Sequence, residues 1–571
     1  MAVTPDPTAF SGKIKGRTLT TRSLSTGSGG LSYILLALPV LVFGAVFFRY
    51  ALDIAKWDDH VLKVFLLNFE KADTFFGKVD AIVRQHNEHR IILDRLAAGL
   101  DFLLFGKLNY VHLMVVGNLT LVGLLILFAR ALRRAGLALW TALPVSLLLF
   151  NLSHWENMYW GMAALQNFSV VFLVVTALYR FAFRPSLDWQ TVVLALLATA
   201  TSGNGLVIWP LGLGLLLLKK DFPGTMRWLL AAVLCIRIYF VGYQKPPGNP
   251  PPKGSLAEVL EGWLAFNGAG AEAFPFGNPY TLSLGLGAAL TALTVLLLLI
   301  RLRQFLRGRV LSGWDLLFLG VGSFVLGTGL IVAYSRAGFG LETLITSRYK
   351  IYSLLLLALT GTYVAAEFFR KKAGLVSLAM IGFSFLLALF SYSSYLDDTV
   401  FLRKYLSTMQ FNWTYTQNRP VSTIDATTRR LVNPAPAFYD ACLPELFTAW
   451  KNEPTASLDT LIIANRTFTL QSATSPALGV RDEGAYLLAR SAQRIYLLPT
   501  RQNLSGSRRA WLQPGRIFGP GFTAQITEAE LDKGRYDLAV LLVEANGRCR
   551  LQPTGKVITS SGQKNEIEKN W

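Results

Sequence analysis

The chain has 571 residues, 52% of them hydrophobic and only 16% charged, and its apolar residues come in blocks rather than at amphipathic intervals. That is the composition of a polytopic α-helical membrane protein and not of a soluble globular one. The formal net charge of +20 is spread over the loops between apolar blocks instead of gathering in one domain or stripe, which argues against a nucleic-acid partner.

The first thirty residues carry Lys13, Lys15, Arg17 and Arg22 among Gly, Ser and Thr, and the apolar run after them leads to Asp53 and Asp58 without a small-residue cleavage site. This predicts a basic, disordered cytoplasmic tail over 1–30 and a retained first helix rather than a signal peptide. Apolar runs over 31–51, 111–129, 137–152, 162–179, 191–201, 205–218, 226–243, 282–300, 316–334, 352–369 and 375–390 predict about eleven spans within a transmembrane domain over 31–394. The spans at 191–201 and 205–218 are short and meet at Thr201-Ser202-Gly203-Asn204-Gly205. They read either as a broken or re-entrant pair whose turn reaches a protein-lined cavity, with Asn204 as a binding residue, or as two helices that flanking residues complete.

Every second loop is basic: Arg130, Arg133 and Arg134; Arg180 and Arg184; Lys219 and Lys220; Arg301, Arg303, Arg307 and Arg309; Arg370, Lys371 and Lys372. Cytoplasmic loops are the basic ones, so an odd number of spans starting from an inside tail leaves the C-terminus outside. Residues 395–571 then form an extracytoplasmic domain, helical to about Trp450 and β-rich after about 455. Short β-branched or alternating runs at 460–464, 494–498 and 536–543, punctuated by Pro514-Gly515 and Pro520-Gly521, predict an α+β or β-sandwich-like fold. Cys235 falls in an apolar span and reads as packing. Cys442 and Cys549 share the outer domain, in an oxidising compartment, where geometry decides whether they pair. No internal repeat is evident.

The first outer loop, 54–110, reads as amphipathic helices lying on the membrane, with Val61, Leu62, Phe65 and Leu66 beside Lys63 and Asn68. It opens on Trp57-Asp58-Asp59-His60 and carries Gln85-His86-Asn87-Glu88-His89-Arg90 about 25 residues later. Asp58, Asp59 and Glu88 suit a reaction in which one carboxylate takes a proton from an attacking hydroxyl and another holds a cation or sugar hydroxyls. Helix capping by Asp58 or Asp59, and pairing of Glu88 with Arg84 or Arg95, would account for the same residues without catalysis. His86 and His89, three apart, would share a helix face; they read as hydrogen-bonding groups around a polar substrate with Asn87 and Arg90, and no dedicated metal site is assigned.

The second outer loop, His154-Trp155-Glu156-Asn157-Met158-Tyr159-Trp160, interleaves aromatics with acid and amide groups, a surface suited to sugar rings, with Trp155, Glu156, Asn157 and Tyr159 as contacts. Interfacial aromatic belts give the same composition. Arg336, Arg348 and Lys350, with Tyr349 between the last two, lie in the outer loop before the tenth span, where the inside bias does not account for them. Arg237 falls within the seventh span. These cations suit a lipid-linked phosphate, with snorkelling as the other account of Arg237 and Lys350.

This layout resembles the GT-C class of polytopic glycosyltransferases, which use sugars carried on polyprenyl phosphate. The features that carry the resemblance are an acidic pair after the first span, surface helices in the first outer loop, a second polar cluster at His86 to Arg90, cationic outer loops and a C-terminal outer domain. The resemblance implies a bacterial inner-membrane enzyme that inverts configuration while moving a sugar from a polyprenyl-phosphate donor to a glycan, lipid or protein acceptor. Asp58 or Asp59 would then be the base, with Glu88 as second choice, and Arg348, then Arg336, would steady the departing phosphate. A divalent cation is the one cofactor left open. Asn87-Glu88-His89-Arg90 stands where many members have a His-Pro-Pro-type segment, a departure that leaves the sugar unassigned. An O-antigen-type polymerase or ligase, and a lipid-linked glycan flippase or transporter, are the alternative readings; a transporter built on repeated halves would show a repeat.

Overall fold

The computed structural model describes residues 28–246, 254–369, 372–432, 434–448, 450, 456–506 and 516–563. Residues 1–27, Arg370, Lys371 and the Pro514-Gly515 pair lie outside them. The helical half comprises α1 (Ser28–Tyr50), α2 (His60–Lys71), α3 (Phe75–Val83), α4 (Ile92–Phe105), α5 (Tyr110–Arg134), α6 (Leu143–Leu149), α7 (Gly161–Phe183) and α8 (Trp189–Thr201). It continues through α9 (Gly203–Leu218), α10 (Phe222–Tyr239), α11 (Leu256–Gly268), α12 (Pro279–Leu306), α13 (Gly313–Arg336), α14 (Ser347–Glu367) and α15 (Ala373–Ser394), which leads into α16 (Leu396–Thr414). Among the described residues seven helices are long and apolar enough to cross a membrane: α1, α5, α7, α12, α13, α14 and the α15–α16 rod. Their outward faces carry exposed Ile34, Leu41, Phe48 and Leu299, side chains that demand an apolar surround, so this is a membrane protein.

Helix starts follow short-range chemistry. Asn109 Oδ1 accepts from His112 N–H at 3.1 Å ahead of α5, Asp188 Oδ1 from Thr191 N–H at 2.9 Å ahead of α8, and Asn278 Oδ1 from Thr281 N–H at 3.0 Å ahead of α12, where Pro279 follows. A capping box of Ser255 and Glu258 starts α11. That short helix was not expected; it packs alongside α12, and a Cβ on Gly287 would lie 1.7 Å from the Leu264 carbonyl oxygen, so only glycine permits their approach.

One expectation changes. The run at 137–152 is not a continuous span: a 3₁₀ turn, Leu139–Ala142, leads into the seven-residue α6. Asn151 stops it, its Nδ2 donating to the Leu147 and Leu148 carbonyls at 3.1 and 2.8 Å while its Oδ1 accepts from Ser153 N–H at 2.9 Å. The run at 191–218 is broken as the first reading held: α8 ends at Thr201, the chain turns at Ser202, and Trp209 Nε1 donates back to Thr199 Oγ1 at 3.0 Å, which makes α8 and α9 a folded-back pair.

After α16 the chain forms two four-stranded antiparallel sheets. One has the order β1 (Thr460–Ala464), β2 (Thr467–Ser472), β6 (Phe518–Thr527), β5 (Arg501–Leu504); the other β4 (Ile495–Pro499), β3 (Gly484–Arg490), β7 (Gly534–Val543), β8 (Cys549–Ser560). Phe468, Leu470, Phe522 and Ile526 of the first meet Leu487, Tyr496, Leu538 and Val540 of the second in a shared core, the alternation expected of a sandwich. The opposite face of the second sheet packs on Phe411 and Tyr439, and Cys442 is disulfide-bonded to Cys549 there, with Cα atoms 5.7 Å apart. The sandwich is tied to the helical half by Arg403, which makes two hydrogen bonds to Asp482 at 2.7 and 2.9 Å and a third to the Tyr50 carbonyl at 3.2 Å.

Candidate functional site

The first outer loop folds as three helices, α2 to α4, and its two polar motifs close on each other. Asp58 and His86 approach to 3.6 Å across the loop. The His86-to-His89 segment is a tight two-residue turn, with His86 N–H donating to the His89 carbonyl and His89 N–H to that of His86, both at 2.9 Å, and Asn87 at φ 47°. The two histidines therefore face each other across a turn and do not share a helix face; Asn tolerates the left-handed geometry that the turn needs.

This turn caps a polar chamber of about 330 Å³ lined by Asp58, His86, Asn87, Glu88 and His89 from the first loop, Trp160 just before α7 and Gln166 and Asn167 within it, Arg336 at the end of α13, and Arg348 and Tyr349 at the start of α14. Six of its residues, Glu88, His89, Asn167, Pro246, Arg336 and Tyr349, also line a second space of about 560 Å³. That space runs between Ser202 to Val207 of the broken pair, Tyr239 to Tyr243 and the C-terminal end of α13, over mostly apolar walls that include Leu206, Val207, Phe240, Ile331 and Val332. A polar chamber thus opens into an apolar groove, and the shared rim carries an acid, a histidine, an amide, an arginine and a tyrosine.

The acids part company here. Asp58 lines the chamber. Asp59, next to it, is fully buried and turned away: its carboxylate accepts from Lys56 N–H at 3.0 Å and Met162 N–H at 2.7 Å, pinning the loop to the start of α7. Burial pushes its pKa up to about 7. Glu88 reaches the chamber as well and pairs with Arg336 at 3.2 Å, not with Arg84, which holds Asp80, or Arg95, which donates to the Ile82 carbonyl at 2.8 Å. Burial lowers the pKa of His89, and its Nδ1 accepts from Gly203 N–H at 3.2 Å, so the neutral ring carries its proton on Nε2 as a donor.

Arg348 lies at the other wall, its Nε 3.6 Å from Glu156. Glu156 is shared with Lys56, also at 3.6 Å, and Lys56 is enclosed by the rings of Trp57, Trp160 and Trp155 at 4.5, 4.8 and 5.7 Å. Burial lowers the pKa of this lysine to about 8. Asn157 donates to the Arg348 carbonyl at 3.0 Å and accepts from Asn167 Nδ2 at 2.8 Å, so it aims both residues without lining the chamber.

Several expected contacts lie elsewhere. Tyr159 is buried against α1, stacked on Phe47 at 5.9 Å with its hydroxyl donating to the Val46 carbonyl at 3.0 Å, and Trp155 is turned to Lys56. Lys350 turns inward to Glu272 and to Tyr395, 2.6 Å from its hydroxyl. Arg90 staples the loop to the Tyr239 carbonyl at 2.7 Å, and also reaches that of Val241. Arg237 sits in the last turns of α10 on an exposed face, away from both spaces. Asn204 lines the groove and donates to Tyr352 Oη.

The reading of the sequence missed Gln166, Asn167 and Lys56. The first two sit in a π-helical turn, Ala164–Phe168, that widens α7 and turns two amides toward the chamber. Their signal was a pair of adjacent amides inside an otherwise apolar span. Lys56, between Ala55 and Trp57, was a lone cation at the end of an apolar stretch. Among the described residues no group of three or more His, Cys, Asp or Glu side chains could hold a metal ion. No protein-family model matches the chain, and neither the curated proteins nor the solved structures contain a match.

Proposed function

We propose that this protein is a membrane glycosyltransferase that moves a sugar from a polyprenyl-phosphate donor to an acceptor on the outer face of a bacterial inner membrane. The observation that carries the reading is the union of the polar chamber with the apolar groove: a lipid-linked sugar has a polar, anionic head joined to a long apolar chain, and the two spaces offer one environment for each. The alternation of basic loops calls for eleven crossings, an odd number, and the seven long helices account for seven of them. With the basic tail inside, that number puts the first loop, the chamber and the sandwich outside.

In this reading the phosphate lies between Arg348 and Arg336, with His89 Nε2–H and the amide of Asn167 as neutral donors, and the prenyl chain follows the groove past Leu206 and Val207. Asp58 is the base. It takes the proton of the acceptor hydroxyl as the oxygen attacks the anomeric carbon from the face opposite the phosphate, the new glycosidic bond forms, and the polyprenyl phosphate leaves with the electron pair of the broken bond. Arg348, held by Glu156, offsets the charge that grows on the leaving oxygen. Asp59 shapes the loop and touches no substrate.

The test is transfer from radiolabelled polyprenyl-phosphate sugars by purified protein and its Asp58→Asn, Glu88→Gln and Arg348→Ala variants, each checked for monodisperse elution. Transfer by the wild type that is lost in Asp58→Asn and weakened in Arg348→Ala is the expected result. If no donor of this class binds or reacts, the transferase reading falls.

A further inference from the structure

A third cavity, of about 550 Å³, lies between the first outer loop and the segment that follows α16. Trp413, Tyr415 and Tyr439 line it on one side and Asp53, Lys63 and Tyr110 on the other, with Ser422, Thr428 and Arg429 at its margin. Its walls are fastened together: Leu108 N–H donates to the Leu431 carbonyl at 2.8 Å, and Arg430 makes two hydrogen bonds to Glu70 at 3.0 and 2.6 Å. The space is therefore framed by the fold and is no gap between loosely apposed parts.

The lining names the chemistry of its occupant. Trp413 keeps 45% of its surface exposed while bordering a cavity, and Lys63 Nζ stands 4.4 Å from the centre of its ring. The exposed indole of Trp413, with the buried rings of Tyr415 and Tyr439 near it and hydroxyls, a guanidinium and the carboxylates of Asp53 and Asp440 around it, matches the alternating apolar faces and hydroxyl edges of sugar rings. Among the described residues Lys63 makes no hydrogen bond or ion pair; burial lowers its pKa to about 8, with Asp425 and Asp59 opposing that shift from farther off. A partly desolvated ammonium beside an aromatic face calls for an anion.

The cavity also sits where an acceptor would have to arrive. Asp58 borders the chamber on one side of the 3₁₀ turn Trp57–Asp59; just beyond that turn His60 packs edge-on against Trp413 at 6.0 Å, and Lys63 borders the third cavity. One turn of chain separates the two spaces.

We propose that this cavity binds the acceptor, and that the acceptor is a saccharide bearing a carboxylate, stacked on Trp413 with its acid group at Lys63. The inference rests on the glycosyltransferase reading for the word acceptor, but the binding it asserts does not depend on that reaction. The experiment measures binding by the purified full chain to length-matched oligosaccharides: galacturonate, hyaluronan and alginate fragments on one side, maltose and chitin oligomers on the other. The acidic members should bind in preference. Trp413→Ala and Lys63→Met should each weaken that binding by about tenfold or more, Trp413→Tyr should recover most of it, and Asp58→Asn should bind like wild type. Absence of binding to every acidic member, or binding left intact in both Trp413→Ala and Lys63→Met, overturns the proposal. If acidic saccharides bind as described while Asp58→Asn keeps full transfer, the catalytic assignment fails and this site stands. If Asp58→Asn abolishes transfer while no acidic saccharide binds, this site alone fails.

Discussion

The helical half and the β-sandwich treat irregular backbone differently. In the sandwich, departures from regularity serve connection: Asn465 and Arg466 take positive φ in the tight turn between β1 and β2, and the β7–β8 ladder shifts register between Asp537 and Ala539. In the helical half, apart from Lys220 at φ 57° in the turn before α10, they converge. Trp57 at φ 44°, Asn87 at φ 47°, the π-helical turn at Ala164–Phe168 and the helix break at Ser202 all border or flank the chamber and its groove. Left-handed backbone at a tryptophan costs about 1–3 kcal/mol and persists only where surrounding contacts enforce it. The difference teaches where to look: irregularities that meet in space mark a site, and those spaced along strands mark turns.

The comparison breaks most directly at Asp58. Asp58→Asn should lower transfer by about 10³-fold, near the middle of what a positioned base contributes, while leaving the thermal unfolding midpoint unchanged. The amide keeps the size and polarity of the side chain and loses only its basicity. A fall in stability with transfer intact would put Asp58 among the structural residues and leave Glu88 as the acid of the chamber.

Asp59 and His60 sharpen the contrast, because neighbours in one loop should show opposite pH dependences of stability. Burial raises the carboxyl of Asp59 to about 7, so its folded form keeps a proton that the unfolded chain gives up near pH 4. Its contribution is full below that pH and is lost as pH rises through 7, by about 4 kcal/mol. Burial, aided by Lys63, lowers His60 to about 4, so its contribution is present above pH 6.5 and is lost as pH falls toward 4, by about 3 kcal/mol. Unfolding followed from pH 4 to 8 in wild type, Asp59→Asn and His60→Gln separates the two by difference. Equal slopes in wild type and Asp59→Asn would show that the buried acid does not titrate in that window.

In the sandwich the corresponding perturbation is the disulfide. Cys442 and Cys549 stand 107 residues apart, and removing both sulfurs with the pair Cys442→Ala and Cys549→Ala should cost about 2–5 kcal/mol of domain stability. Transfer measured below the new unfolding midpoint should remain within about twofold of wild type, because the bridge touches neither chamber nor groove. A specific loss of transfer at full folding would tie the sandwich to chemistry.

Much of this division was legible in the sequence. The helices of the first loop, the break at Ser202 and Gly203, and the alternating strands after 455 each rest on local pattern, which hydropathy and turn chemistry report. What stayed hidden depends on partners distant in the chain. Nothing local separates Asp58 from Asp59; the Met162 N–H, 103 residues away, draws the second inward. Arg348 and Lys350 are equally basic and two apart, but the start of α14 turns one to the chamber and the other to Glu272. Arg237 drew notice because its neighbours are apolar, yet its face of α10 points away from both spaces. Gln166 and Asn167 were masked by the average hydropathy of the span that contains them.

The smallest effect distinguishes two adjacent aromatics, Tyr159 and Trp160. The tyrosine is buried, stacked on Phe47, and gives its hydroxyl hydrogen to the Val46 carbonyl; the tryptophan borders the chamber beside Lys56. Tyr159→Phe removes one hydrogen bond and leaves a buried carbonyl short of a donor, so it should lower stability by about 1 kcal/mol and leave transfer unchanged. Trp160→Phe keeps an aromatic ring but shortens the wall of the chamber, so it should raise the KM for the donor more than it lowers stability. Should the effects fall the other way round, with donor affinity following Tyr159, the chamber would have to open toward α1 and the placement of the donor along the groove past Leu206 would be wrong.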